Sequence, residues 1–256
     1  MHSRIWAIAR YTLLEHLRGR MATSAGLLVV LGLMLARLLD GVALTESAAV
    51  QSTLVAALLR PAMVLLMATS VIVSQVREGS DRTRDWLLAL PMPRSHWLGG
   101  RLGGHLMAAV MLGLTAGLTL ALPAGPLAGF LWACSLALEL MLCTCMAMFL
   151  SISLDQTPAA LLVFAGWYVL ARGMAALQLV AGMPLLADGS LFMEIAPHGL
   201  QWLGLLLPRL DLFATAPLLP DGKVAIPALQ WLAGQAAIYG GLLAIASLLD
   251  LNRREW

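Results

Sequence analysis

Residues 127–152 read LAGFLWACSLALELMLCTCMAMFLSI, twenty-six residues with a single charged side chain, Glu139, near the middle. A helix crossing the hydrocarbon core of a bilayer needs about 20 mostly apolar residues, so this run can span a membrane by itself. Five further runs have the same character, at 21–39, 54–76, 102–122, 158–181 and 227–249. Composition agrees: 60% of the 256 residues are hydrophobic and 12% charged, against roughly 45–50% and 25% in soluble domains. The expected fold class is all-α, a polytopic membrane protein of six transmembrane helices. Helices that are apolar all round show no contrast between one face and another, so which face packs inward is not legible from periodicity.

Lys and Arg give the expected orientation. With the N-terminus inside, Arg4, Arg10, Arg18, Arg20, the five arginines of 77–101, Arg253 and Arg254 fall on the cytoplasmic side, eleven in all; Arg37, Arg60, Arg172, Arg209 and Lys223 fall elsewhere. That excess places both termini and the 77–101 loop in the cytoplasm. The net charge of +2 is then a topology signal and does not point to nucleic acid. The first apolar run is long for a signal peptide and twenty residues precede it, so it is expected to be an uncleaved helix.

Residues 3–20 place Ile5, Trp6, Ala9, Leu13 and Leu17 on one helical side and Arg4, Tyr11, Glu15 and Arg18 on another. They are expected to form an interfacial helix over 1–20, ahead of a membrane domain over 21–256. The 182–226 segment carries five prolines, and Pro227 follows it. Its apolar part, 191–207, is interrupted by Glu194 and Pro197, which favours a re-entrant or interfacial segment over a seventh span.

Residues 77–101, REGSDRTRDWLLALPMPRSHWLGGR, hold eight of the thirty charged side chains between two apolar runs. Trp86, Leu87, Leu88 and Leu90 form a compact apolar turn that Pro91 and Pro93 end, since proline lacks the amide donor and clashes with the preceding turn. A solvated loop obeying the positive-inside rule is the plain reading. A docking helix for a soluble partner is the other, with Trp86 as apolar anchor and the mixed charges as positioning groups.

This pattern resembles the cytoplasmic loop of type-2 ABC exporter permeases (ABC-2 type). There, an acidic residue and a Gly or Thr precede an apolar helix, followed by Leu-Pro, an arginine and a basic residue re-entering the membrane. Glu78, Thr83, residues 86–90, Pro91, Arg94 and Arg101 occupy those places, and the N-terminal IARYTLLEHLRGR and the order of spans are similar too. The N-terminal Ile-Ala-Arg-Tyr also resembles permeases associated with multicopper enzyme maturation. The resemblance implies a six-helix half-transporter of the bacterial inner membrane, with an elbow helix over 1–20, a coupling helix within 77–101 and outer re-entrant helices within 182–226. It implies a homodimer, or a pair with a similar permease, carrying separate ABC ATPase subunits. Glu78, Asp81, Arg82, Asp85, Trp86, Pro91 and Arg94 would then meet the ATPase. ATP and Mg would be bound by that partner: 77–101 is the longest cytoplasmic piece, and the chain has no Gly-x-x-x-x-Gly-Lys-Ser/Thr loop, so it is not itself expected to be an enzyme.

Inside the membrane, Glu139 and Arg172 stand out. A charged group at mid-membrane costs about 2.5–3.5 kcal/mol even on mild insertion scales. Their expected depths differ by about 5 Å at 1.5 Å per residue, so they could pair across two consecutive helices. A packing ion pair, a substrate contact and a protonated, unpaired Glu139 are the three readings. Arg37 and Arg60 are expected to snorkel to the outer interface or to pair there with Asp40 or Glu46. Gly99/Gly103, Gly100/Gly104 and Gly113/Gly117 offer small faces for close helix contact, within the chain or in a dimer. Cys134, Cys143 and Cys145 sit at spacings that cannot share one metal, and the fourteen methionines are scattered, so both are expected to be packing residues and no metal site is expected. The rival readings are a membrane scaffold or force-transmitting subunit without a cargo of its own, and an intramembrane enzyme using Glu139 with a histidine.

Overall fold

The computed structural model describes residues 2–40, 47–81, 93–181, 199, 204, 207–215 and 222–253. Its elements are α1 (His2–Arg18), α2 (Arg20–Asp40), α3 (Ser47–Ser80), α4 (Arg94–Ala124), α5 (Pro126–Leu154), α6 (Thr157–Ala181), α7 (Leu210–Thr215) and α8 (Gly222–Arg253). No strand occurs among the described residues. Among the described residues, six helices, α2 to α6 and α8, are long and apolar enough to cross a bilayer, and the chain is a multi-pass membrane protein.

Local sequence sets the turns. Gly125, with φ of +89°, is the only residue between α4 and α5, a backbone conformation that a side chain would strain. Pro126 then opens α5, where its missing amide hydrogen costs nothing. Asp155, at φ +49°, ends α5 in the left-handed conformation that Asp tolerates. Such short links force α4, α5 and α6 to run antiparallel.

α5 is the centre of the bundle and packs against α3, α4, α6, α7 and α8. Lipid offers helices no hydrophobic gain on meeting each other, so close contact depends on small residues. The α4–α5 seam has them. A Cβ added at Gly113 would sit 2.9 Å from Ala137 Cα, one at Gly129 would sit 2.7 Å from Ala121 Cα, and one at Gly117 would collide with Ala133. On the other side of α4, a Cβ at Gly100 would meet Ile8 at 2.8 Å and one at Gly104 would meet Thr12 at 2.5 Å. Gly113 and Gly117 thus serve the contact of α4 with α5, and Gly100 and Gly104 its contact with α1, whereas a Cβ at Gly99 would meet nothing within 4 Å. Large apolar side chains point outward instead, among them Leu27, Leu31, Met34, Leu162, Val169, Ile238 and Leu242.

The helices run beyond the expected spans. α3 continues to Ser80 and α4 begins at Arg94, so both flanks of the 77–101 loop are helical and Glu78 and Arg101 lie inside helices. The α1 faces also differ from the expected division. Ala9, Thr12 and His16 are buried and Glu15 turns inward, while Trp6, Leu17, Arg4, Arg10, Tyr11 and Arg18 are exposed. Helical spacing could not separate these faces because the partner of α1 is a glycine-lined protein surface with polar groups of its own. Within 182–226, α7 and the start of α8 are described, with single residues before them; the apolar stretch 191–207 lies almost entirely outside the described residues.

Candidate functional site

Two polar clusters are built into the apolar bundle. The first surrounds Glu139, fully buried halfway along α5. Its Oε2 accepts a hydrogen bond from Arg60 Nη1 on α3 at 2.6 Å. Its Oε1 accepts from Arg172 Nη1 on α6 at 3.1 Å and from the Tyr168 hydroxyl at 3.2 Å. Arg60 Nη2 reaches Ser135 Oγ, one turn earlier on α5, at 3.3 Å, and that hydroxyl donates to the Phe213 carbonyl of α7. The Arg60 guanidinium also lies 5.1 Å from the centre of the Trp132 ring. Trp132 presents its π-face as a cation partner, and its indole N–H has no acceptor among the described residues.

The pair expected between Glu139 and Arg172 is present, and Glu139 is not unpaired. Arg60 departs from expectation. It does not snorkel to an interface: it is 1% exposed and makes the shorter of the two ion pairs. The reason is its place on α3, where it faces Glu139, Ser135 and Trp132 of α5. α3 begins at Ser47, and thirteen residues at 1.5 Å each put Arg60 about 20 Å along it. One carboxylate between two guanidiniums leaves a formal charge of +1 in a closed, low-dielectric place, with Arg172, 24% exposed, as the arm nearest the surface. Such a cluster tolerates its burial only while the hydrogen bonds hold.

The second cluster lies at the α1 end of the bundle, centred on Arg101 of α4. This residue is 1% exposed, and its guanidinium meets Glu15 of α1 at 3.0 Å and Glu78 of α3 at 2.6 Å. It also donates to Thr12 Oγ1 and Ser74 Oγ, each at 3.0 Å. Ser74 donates to the other Glu15 oxygen at 2.6 Å. Beside this node, His16 Nε2 lies 2.6 Å from His105 Nδ1. The surrounding donors orient the Gln75 amide so that its oxygen accepts from His105 Nε2 at 3.0 Å and from Arg101 Nε at 3.0 Å. His16 Nε2–H therefore donates to His105. Burial holds the His16 imidazole down at about 4, with Arg101 adding to the shift and Glu15 opposing it. Glu15 sits below the usual carboxylate range: burial pushes it up, but the Ser74 hydrogen bond and the Arg101 charge outweigh that.

Of the seven residues expected to meet a soluble partner, Glu78, Asp81 and Arg94 are among the described residues. Arg82, Asp85, Trp86 and Pro91 lie outside the described residues. Glu78 turns inward to Arg101. Asp81 is exposed, 3.7 Å from Arg77 one turn back. Arg94 donates to the Leu251 carbonyl at 2.8 Å and the Asn252 carbonyl at 3.3 Å, satisfying the end of α8. Cys143 and Cys145 are buried thiols in the core of α5, Cys134 is half-buried, and all three are free. Among the described residues no three His, Cys, Asp or Glu side chains converge.

Sequence reading missed Arg60, His16, His105, Gln75 and the inward role of Glu15. One signal was present: Gln75, Arg101 and His105 fall at the inner edges of apolar runs, where a polar group needs a partner. No family model matches this chain, and no curated protein matches it.

Proposed function

We propose that the chain is the membrane subunit of an ABC exporter of the ABC-2 type, working as a dimer with separate ATPase subunits bound at the 77–101 region. The observation that carries this reading is the Arg101 node. It ties α1, the end of α3 and the start of α4 into one unit, so a push on the connection between α3 and α4 is delivered to three helices together. Arg94 extends the unit to the end of α8. In this reading the α1 end faces the cytoplasm and ATP-driven closure of the partner moves that end of the bundle. Access then changes at the interface between two copies.

A second reading, a scaffold or force-transmitting subunit without its own cargo, draws on the state of Glu139. Its oxygens are fully engaged by Arg60, Arg172 and Tyr168, and it is closed from solvent. An intramembrane enzyme would want Glu139 beside a histidine, whereas the buried histidines His16 and His105 engage each other.

The test is co-purification from native membranes. The tagged chain should bring down an ATP-hydrolysing subunit, and Trp86→Ala should lose it while Arg172→Gln, whose charge is partly exposed, retains it. Recovery of the same subunit with Trp86→Ala, or of none with the parent chain, removes the assignment. ATP-dependent movement of substrate in vesicles separates exporter from scaffold.

A further inference from the structure

A cleft of about 730 Å³ opens between α1, the first turns of α2 and the last turns of α3. Its lining is graded. Arg20 and Arg77 stand at the α1 end, Ser24, Ser70 and Ser74 line the middle, and Leu66 lies deepest along α3. From Arg77 to Leu66 is eleven residues, about 16 Å of helix. Those are the dimensions and order of a phospholipid entering a leaflet: phosphate, glycerol esters, then acyl chain. Glu15 also lines the cleft, its two oxygens held by Arg101 and Ser74. Arg20 is exposed, and Arg77 has a loose contact to Asp81 at 3.7 Å, with its side chain 80% exposed. The lining thus sets two arginines against one carboxylate, with both arginines at the level where lipid phosphates lie.

We infer that this cleft binds one anionic phospholipid of the leaflet on the α1 side, its phosphate held by Arg20 and Arg77 and its esters facing the Ser24 and Ser70 hydroxyls. The site holds α2 to α3 where side-chain cover is thin: only 17% of the α2 span is buried. A bound lipid completes that seam. The inference does not depend on whether the chain moves a cargo.

Native mass spectrometry of the full chain in a neutral detergent tests it, with phosphatidylglycerol and phosphatidylcholine added in equal amounts. The expected result is roughly thirty-fold tighter retention of phosphatidylglycerol, equivalent to about 1 kcal/mol for each of two arginines near a membrane surface. Arg20→Gln with Arg77→Gln should abolish the preference, and both side chains are exposed, so the fold should survive. Arg4→Gln with Arg10→Gln, on the exposed face of α1 away from the cleft, should keep it. Equal retention of the two lipids overturns the proposal. So does loss of preference in the Arg4/Arg10 variant, which means diffuse surface charge. Displacement of the lipid by millimolar inorganic phosphate assigns the site to a free anion instead and also overturns it.

Discussion

Each oxygen of Glu139 is held by an arginine from a different helix, so removing the carboxylate strands two guanidiniums at once. Arginine cannot shed its proton to relieve this. Glu139→Gln should therefore destabilise by about 3–5 kcal/mol, the usual cost of leaving a buried charge unpaired. Arg172→Gln should cost about 1 kcal/mol, because its partly exposed charge is screened and Glu139 keeps Arg60. Replacing Arg60 by Met and Glu139 by Leu together should cost less than Glu139→Gln alone. Thermal unfolding in detergent gives the ranking, and a Glu139→Gln protein as stable as the parent would mean that the cluster contributes no stability. His16 supplies a pH dependence. Its folded value, about 4, lies below the ordinary 6.5, so between these values the unfolded chain binds a proton that the folded chain does not. Stability should fall as the pH drops through that window, by at most about 1.4 kcal/mol per unit. Glu15, being depressed, keeps its contribution above its ordinary carboxylate value and loses it as the pH falls through its lower folded value, so the decline above that range belongs to the histidine window. Melting temperatures between pH 8 and 4.5 should show a shallower decline in His16→Gln, which retains an N–H donor for His105; an identical slope would clear His16 of the effect.

At the scale of elements, the α4–α5 hairpin rests on bare backbone. Gly117→Val drives a branched side chain into Ala133 and should cost about 1–3 kcal/mol. Ala133→Gly should restore part of that loss by reopening the seam. Gly99→Ala, where an added Cβ meets nothing within 4 Å, is the control and should be neutral or better. Thermal unfolding compares the three, and equal stability of Gly117→Val and Gly99→Ala would contradict the seam. The existence of each long helix was legible from apolar length, but the ends were not. α3 and α4 run through Arg77, Glu78 and Arg101 because Glu78 and Arg101 find partners in each other and on α1, and a hydropathy window treats any charge as a reason to stop.

For the whole molecule, α1 and the last turn of α8 lie at one end of the bundle. Arg101 bonds α1 and Arg94 bonds α8 within the same stretch of α4. In a chain whose three cysteines are replaced by alanine, Thr83→Cys and Asp221→Cys should react with an impermeant thiol reagent from opposite faces of the membrane, because α4, α5 and α6 cross between them. Labelling of both from one face would demand an even number of crossings there. Apolar length alone marked the six long apolar helices found among the described residues and the all-helical class, because a chain in hydrocarbon must satisfy its backbone internally and helices do so segment by segment. The cost of ions in hydrocarbon singled out Glu139 and Arg172. Only the tertiary structure decided that Arg60 belongs with them, that the spaced glycines serve α1 and α5, and that Glu15, Glu78 and Arg101 form one node. Partner choice between helices depends on depth, rotation and small-residue fit, and helices that are apolar on every side carry none of these in their order of residues.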